Sequence, residues 1–421
     1  MADWPLVVGG LAAGATAVAL ILANLFSRHG LWSMLDLRVY YWGGQIARRG
    51  GDLYDARFEP GGLMFTYPPF AALCFAAVSF LPLAAVRIAS VVADLVGVGL
   101  ASWLALGSLG YPRSARRWAA TLALAAAATW SEPVWQTLSY GQVNIALMVV
   151  ALVDLFRPRG SRWQGVGVGL AAGFKLTPLV FVAYLLLTGR FRAGGVALAV
   201  FAAAAVLPAI WLPSQSLRYW AGGLFADASR MGNVGYVGNQ ALNGTLTRLP
   251  GGAEPILAAW LPAAALVGAI GLLLAALAAR QGNELAGVLL CALTGLLVSP
   301  VSWSHHWVWV APGLALVVHG AFRARSAASP GWWPVIPWVG VLALLAVFWS
   351  RAIWLVPGPD IQGKAPPGIW LLPADLYGLA GVAVLGLAAI RLLSPRLPRA
   401  GSDVPPGVDG DVVAGDISRA R

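Results

Sequence analysis

Apolar runs of roughly twenty residues recur along this chain, and the short breaks between many of them are rich in arginine. A run of that length crosses a bilayer as a helix, because a helix satisfies its own backbone polar groups where no water can. Only 11% of the 421 residues are charged and 59% are hydrophobic, whereas a soluble domain carries about 25% charged residues. Mean hydropathy is +0.74. The expectation is an all-α polytopic membrane protein, with one membrane body over residues 1–393 and about 10–13 transmembrane helices. A net charge of +11 would suggest nucleic acid in a soluble protein. Here the arginines gather in short loops near 113, 157, 190, 280, 323 and 396, the cytoplasmic-side bias of membrane proteins. No nucleic-acid partner is expected. Cys74 and Cys291 each sit inside an apolar run, so they are read as helix packing.

The order along the chain gives the layout. The run 5–26 reads as a retained first span. A polar, aromatic stretch follows at 27–66, then Tyr67-Pro68-Pro69 opens a run to about 83 that is either a span or a re-entrant helix. The runs 118–138 and 143–156 are joined by Ser139-Tyr140-Gly141-Gln142. The run 165–187 is interrupted by Lys175 and Pro178, as expected of two half-helices meeting at a site. The glycines at 165–173 read as close helix packing. Polar segments return at 213–250, 299–306 and 351–373, and the Pro-, Gly- and Asp-rich tail 394–421 reads as disordered and cytoplasmic. Placing the basic loops in the cytoplasm puts the polar segments, Gln142 and Lys175 on the outer face. The first loop joins them there if the helix after Pro69 does not cross.

Polar side chains in such a setting need a reason, because burying an unpaired polar group costs several kcal/mol, roughly. Asp36, just past the first span, reads either as a general base for a sugar hydroxyl or as a salt-bridge partner of Arg38. His305 and His306 read as a metal pair, a general acid, a phosphate clamp or part of an interfacial aromatic belt. Zinc needs three or four ligands, so a clamp suits them better. Which of the two would touch phosphate stays open. Lys175 is a phosphate contact or a snorkelling anchor. Gln142, Asn144, Asn239, Gln240 and Asn243 suit sugar hydroxyls, although amides more often cap and link helices.

In order, the motifs DLRVYY, YPP, YGQVN, FKLTP, GNQALNG and SPVSWSHHWVW resemble, over nearly the whole chain, the actinobacterial polyprenol-phosphate-mannose-dependent mannosyltransferases of glycosyltransferase family 87. The resemblance implies a GT-C fold, a transmembrane helix bundle with its active site on the outer face of the cell membrane. It implies a polyprenyl-phosphate-mannose donor and a mannosylated glycolipid or lipoglycan acceptor, as in phosphatidylinositol mannoside and lipoarabinomannan assembly, with inversion to an α-1,2 linkage. Asp36 would be the catalytic base. His305 or His306 and Lys175 would meet the donor phosphate. Arg38, Tyr40, Tyr67, Gln142, Asn144, Asn239, Gln240, Asn243 and Trp303 would bind substrate. No nucleotide sugar or cofactor is implied, and with no DxD near Asp36 no metal is expected. The rivals are an arabinofuranosyl- or glucosyltransferase on the same scaffold, or a lipid-linked glycan transporter. A transporter should show repeat symmetry between its halves, and the polar motifs differ in each half.

Overall fold

The computed structural model describes residues 4–26, 33–59, 61–249, 257–326, 336–357 and 368–394. The predicted disordered tail beyond 394, and parts of the loops 27–66, 213–250 and 351–373, lie outside these. The described residues are mostly helical, with two isolated bridges, Phe58 to Leu63 and Asn239 to Trp303.

Helix α1 (Trp4–Phe26) precedes an amphipathic helix α2 (Leu35–Arg48) and then α3 (Pro69–Val78). Pro69 opens α3, where its missing N–H costs nothing. Ten residues make about 15 Å of helix, half of a hydrocarbon core of about 30 Å. The run after Tyr67-Pro68-Pro69 is therefore too short to cross. It lies on α2, where Gly44 is so close that a Cβ would stand 2.4 Å from the Phe75 carbonyl oxygen.

α4 (Leu83–Ser108) then runs the full depth of the bundle and α5 (Ala115–Thr129) returns. The predicted single run 118–138 is corrected here. It stops at Thr129, and α6 (Glu132–Tyr140) starts afresh with Pro133 in its first turn. α6 meets α7 (Asn144–Leu155) at 116°. The corner is Gly141, with φ 65°, where a Cβ would press on Leu37 at 2.7 Å; only glycine suits both demands.

The predicted half-helices are α8 (Val166–Phe174) and α9 (Val180–Leu187), parted by extended Lys175 and a 3₁₀ turn at Thr177–Leu179. The packing role of the glycines holds. Cβ atoms at Gly165 and Gly169 would fall 2.1 and 2.5 Å from carbonyl oxygens of α10 (Phe191–Val206). The polar segment after α10 carries α11 (Pro213–Trp220) and α12 (Leu242–Arg248). α13 (Leu257–Arg280) and α14 (Glu284–Val298) form a hairpin. α15 (Val310–Ser326), α16 (Ile336–Trp349), the short α17 (Leu371–Ala374) and α18 (Leu376–Leu393) complete the bundle. Both cysteines are free, Cys291 buried and Cys74 half-buried in helix packing.

The protein is an all-α polytopic membrane protein. Four described helices are long and apolar enough to cross, five if α6 and α7 form one bent span, and six further apolar helices run 10–17 residues. Straight full-length helices thus supply only part of the expected 10–13, and the other apolar runs are short or broken. The bundle has two unlike ends. The C-termini of α4 and α7 and the N-termini of α10 and α14 meet around arginines. The start of α7, the break at Lys175 and the segment after α14 meet at the other end.

Candidate active site

At that second end lies a cavity of about 770 Å³. Asp36, Tyr40, Tyr67, Gln142, Lys175, Trp303, His305 and His306 all reach its wall. Side chains from the first polar loop, the α6–α7 corner, the helix break and the SWSHH segment therefore share one space.

Asp36 sits in the first turn of α2, where a carboxylate suits the helix dipole. Met34 sets the start of that helix in a left-handed conformation, φ 47°, and its N–H donates to the Ser139 carbonyl at 2.9 Å. This tie fixes α2 to α6. A hydrogen-bond chain leads to Asp36 from behind. Tyr67 Oη donates to Gln142 Oε1 at 3.3 Å, so Tyr40 Oη must donate to Tyr67 Oη at 2.7 Å. The Gln142 amide in turn bonds Asp36. Burial raises the Asp36 carboxyl to about 6, while the Gln142 bond and the Lys175 charge hold it from rising further. A carboxylate tuned this way is placed to take a proton near neutral pH.

Lys175, at the break, donates to Asn144 Oδ1 at 2.9 Å and lies 3.1 Å from His306 Nε2. With the lysine protonated, that nitrogen accepts and the imidazole proton sits on Nδ1. Asn144 also donates to the His305 carbonyl at 2.9 Å, as does Thr137, so one amide joins lysine and histidine loop. The His305 ring stands edge-on to Tyr140 and His306, at 5.3 and 4.9 Å between centroids, and its buried Nε2 has no partner. Burial, then the Lys175 charge, holds both imidazoles well below their usual value. That favours the neutral form, in which each ring keeps one N–H donor. Among the described residues no three His, Cys, Asp or Glu side chains gather to hold a metal ion.

Other expected residues lie elsewhere. Asn144 faces a smaller cavity of about 60 Å³ shared with Lys175 and His306. Arg38 points outward and does not act on Asp36. Asn239, Gln240 and Asn243 are turned away from the cavity and spent on backbone groups. Asn239 Oδ1 accepts from Ala241 N and Ser302 N, Gln240 Nε2 donates to Val237 and Ala374, and Asn243 Nδ2 donates to Pro300. They lock 237–243 against the SWSHH segment, the commoner role of amides, because that turn leaves backbone groups with no other partners.

Two buried ionic features escaped sequence reasoning. Glu132, 1% exposed, accepts from Ser304 Oγ at 2.8 Å, Trp354 Nε1 at 2.7 Å and Tyr377 Oη at 2.8 Å. It anchors the histidine segment from below. Arg248, fully buried, pairs with Asp375 and donates to the carbonyls of Tyr236 and Asn239, both at 3.0 Å. The signal was present in outline, a carboxylate and a guanidinium within apolar sequence, but nothing named their partners.

The family model described as Glycosyltransferase family 87 matches residues 65–300. Asp36 and both histidines lie outside that stretch, so their grouping rests on geometry. A polyprenol-phosphate-mannose-dependent alpha-(1-2)-phosphatidylinositol mannoside mannosyltransferase of Mycobacterium tuberculosis is 32% identical over 370 residues, covering 79% of this chain and 86% of that one. A polyprenol-phosphate-mannose-dependent alpha-(1-2)-phosphatidylinositol pentamannoside mannosyltransferase of Mycolicibacterium smegmatis is 34% identical over 370 residues, covering 83% and 85%. No solved structure matches.

Proposed function

The chain belongs to glycosyltransferase family 87, and from that premise we propose that it moves mannose from polyprenyl-phosphate-mannose to a phosphatidylinositol mannoside or related lipoglycan, forming an α-1,2 linkage. The observation that carries this reading is the single cavity that brings a carboxylate raised to about 6 together with a lysine and two neutral imidazoles. That is the set a one-step displacement at a sugar phosphate needs.

Asp36 takes the proton of the acceptor hydroxyl. The oxygen attacks the anomeric carbon from the side away from the phosphate, and the carbon–oxygen bond to phosphate breaks with its electron pair going to the leaving group. A β-linked donor then gives an α-linked product. Lys175 and His306, already in contact, receive the growing phosphate charge. His305, also on the cavity wall, is a further donor. Tyr40, Tyr67, Gln142 and Trp303 shape the sugar sites at the wall. The first loop, 27–66, is the catalytic loop. The cavity opens on the outer face, a placement supported by the arginines at the opposite end of the bundle.

The test is transfer by the purified full-length protein in liposomes, supplied with labelled polyprenyl-phosphate-mannose and a phosphatidylinositol mannoside. An α-1,2-linked mannosyl product is expected. Transfer only from a nucleotide sugar, or only of another sugar from its polyprenyl phosphate, would refute the reading.

A further inference from the structure

The arginine end of the bundle holds a second cavity, of about 370 Å³, between the ends of α4, α7, α10 and α14. By liquid volume it has room for about a dozen waters. Arg117, Arg157, Arg159 and Arg190 line it, with Glu284 as the one carboxylate of the lining. Arginines at helix ends are commonly explained as snorkelling anchors, whose guanidinium reaches water. Arg157 and Arg159 are exposed and fit that account. Arg117 and Arg190 do not, since each is only 8% exposed.

Both are held rigidly in the wall. Arg117 lies 3.9 Å over the Trp103 ring and donates to the carbonyls of Tyr111 at 2.9 Å and Trp103 at 2.6 Å. Arg190 pairs with Glu284 and donates to the Leu155 carbonyl at 3.3 Å. Yet the Nε–H of each is buried with no partner. An unsatisfied charged donor is costly, so both guanidinium groups keep unmet hydrogen-bonding capacity beside the cavity. Arg117 also needs the glycine beside it: a Cβ at Gly107 would fall 2.3 Å from Arg117 Nη2. Glu284 offsets one of the four positive charges, and Asp154, 3.6 Å from Arg157, offsets another. Positive charge remains unmatched around an open space.

We propose that this cavity binds a phosphate group, held by the guanidinium groups of Arg117 and Arg190 in the wall and by Arg157 and Arg159 at the mouth. Planar guanidinium donors suit phosphate oxygens, and basic pockets between membrane helices suit the headgroups of anionic lipids. A lipid headgroup and a free phosphate ion share this chemistry. The site is distinct from the cavity around Asp36 and does not depend on what is transferred there.

The test uses the full-length protein in nanodiscs of mixed phosphatidylglycerol and phosphatidylcholine, with retained lipid measured by native mass spectrometry. About tenfold preferential retention of phosphatidylglycerol is expected, the scale of one charge-assisted hydrogen bond. The exposed pair R157Q/R159Q should lower that preference several-fold. Gly107→Val, which displaces the Arg117 guanidinium, should abolish it, with thermal unfolding checking that this variant still folds. A second arm adds millimolar inorganic phosphate to protein in phosphatidylcholine alone. A rise in unfolding temperature there, lost in R157Q/R159Q, without phosphatidylglycerol preference, assigns the site to the free ion. Equal retention of the two lipids with no phosphate effect, or responses unchanged in R157Q/R159Q, would overturn the proposal.

Discussion

Asp36 and Glu132 are both carboxylates withdrawn from bulk water at the same end of the bundle, and their surroundings treat them in opposite ways. Glu132 is saturated, with three donors from three separate segments filling its oxygens. It does not line the cavity that Asp36 faces. Asp36 receives one amide, keeps free lone pairs toward open space, and rises to about 6. A filled carboxylate holds structure together, and a half-filled one beside a cavity is available to accept a proton from a substrate. Burial raises both carboxyls, but Glu132 is fully enclosed with three donors while Asp36 stays partly open to the cavity with one.

The sharpest way to break this contrast is Asp36→Asn, which keeps shape and removes the base. Transfer should fall about 10²- to 10⁴-fold while the unfolding temperature stays within a few degrees of the parent. A large loss of stability in this variant would make Asp36 another structural acid. Glu132→Ala should do the reverse in kind, lowering unfolding free energy by about 3–5 kcal/mol by stranding three donors, as read from thermal or denaturant unfolding in detergent. An unchanged stability would mean that its hydrogen bonds contribute little. Lys175→Met should lower turnover about 10²- to 10³-fold, the range for one donor to a developing oxyanion.

The finest test is the pH profile. Only ionised Asp36 accepts a proton and only protonated Lys175 meets the phosphate charge, so kcat/KM should climb through about pH 6 and fall again above about pH 8. Gln142→Leu removes a group that holds the carboxyl down, so the acid limb should move to higher pH. A limb that stays in place would remove Gln142 from contact with the base.

Much of the cavity wall was legible because each contributor is a polar residue where apolar sequence surrounds it. Asp36, Lys175 and the two histidines stood out on those terms, and the break at Lys175-Pro178 was announced by residues that no continuous span tolerates. The amides of GNQALNG were equally visible, but their direction was not. Whether Asn239 faces a sugar or the Ser302 N–H depends on how 233–243 turns, and local sequence does not say. Glu132 was hidden because a glutamate before a proline reads as an ordinary helix start; its partners stand 172, 222 and 245 positions away. The run 118–138 looked continuous because alanine and threonine conceal a corner that Glu132 and its distant donors impose.

The chain from Tyr40 through Tyr67 and Gln142 to Asp36 has a direction. Every hydroxyl in it already points its hydrogen toward the carboxylate, and an amide does not readily relay one onward. It is a one-way street ending at Asp36, able to steady a negative charge but not to carry hydrogen away. After each turnover the captured hydrogen has to depart through the mouth of the cavity, along the path by which the product leaves. Resetting the enzyme and emptying it would then share a single exit, and solvent exchange at that opening would bound how fast the cycle repeats.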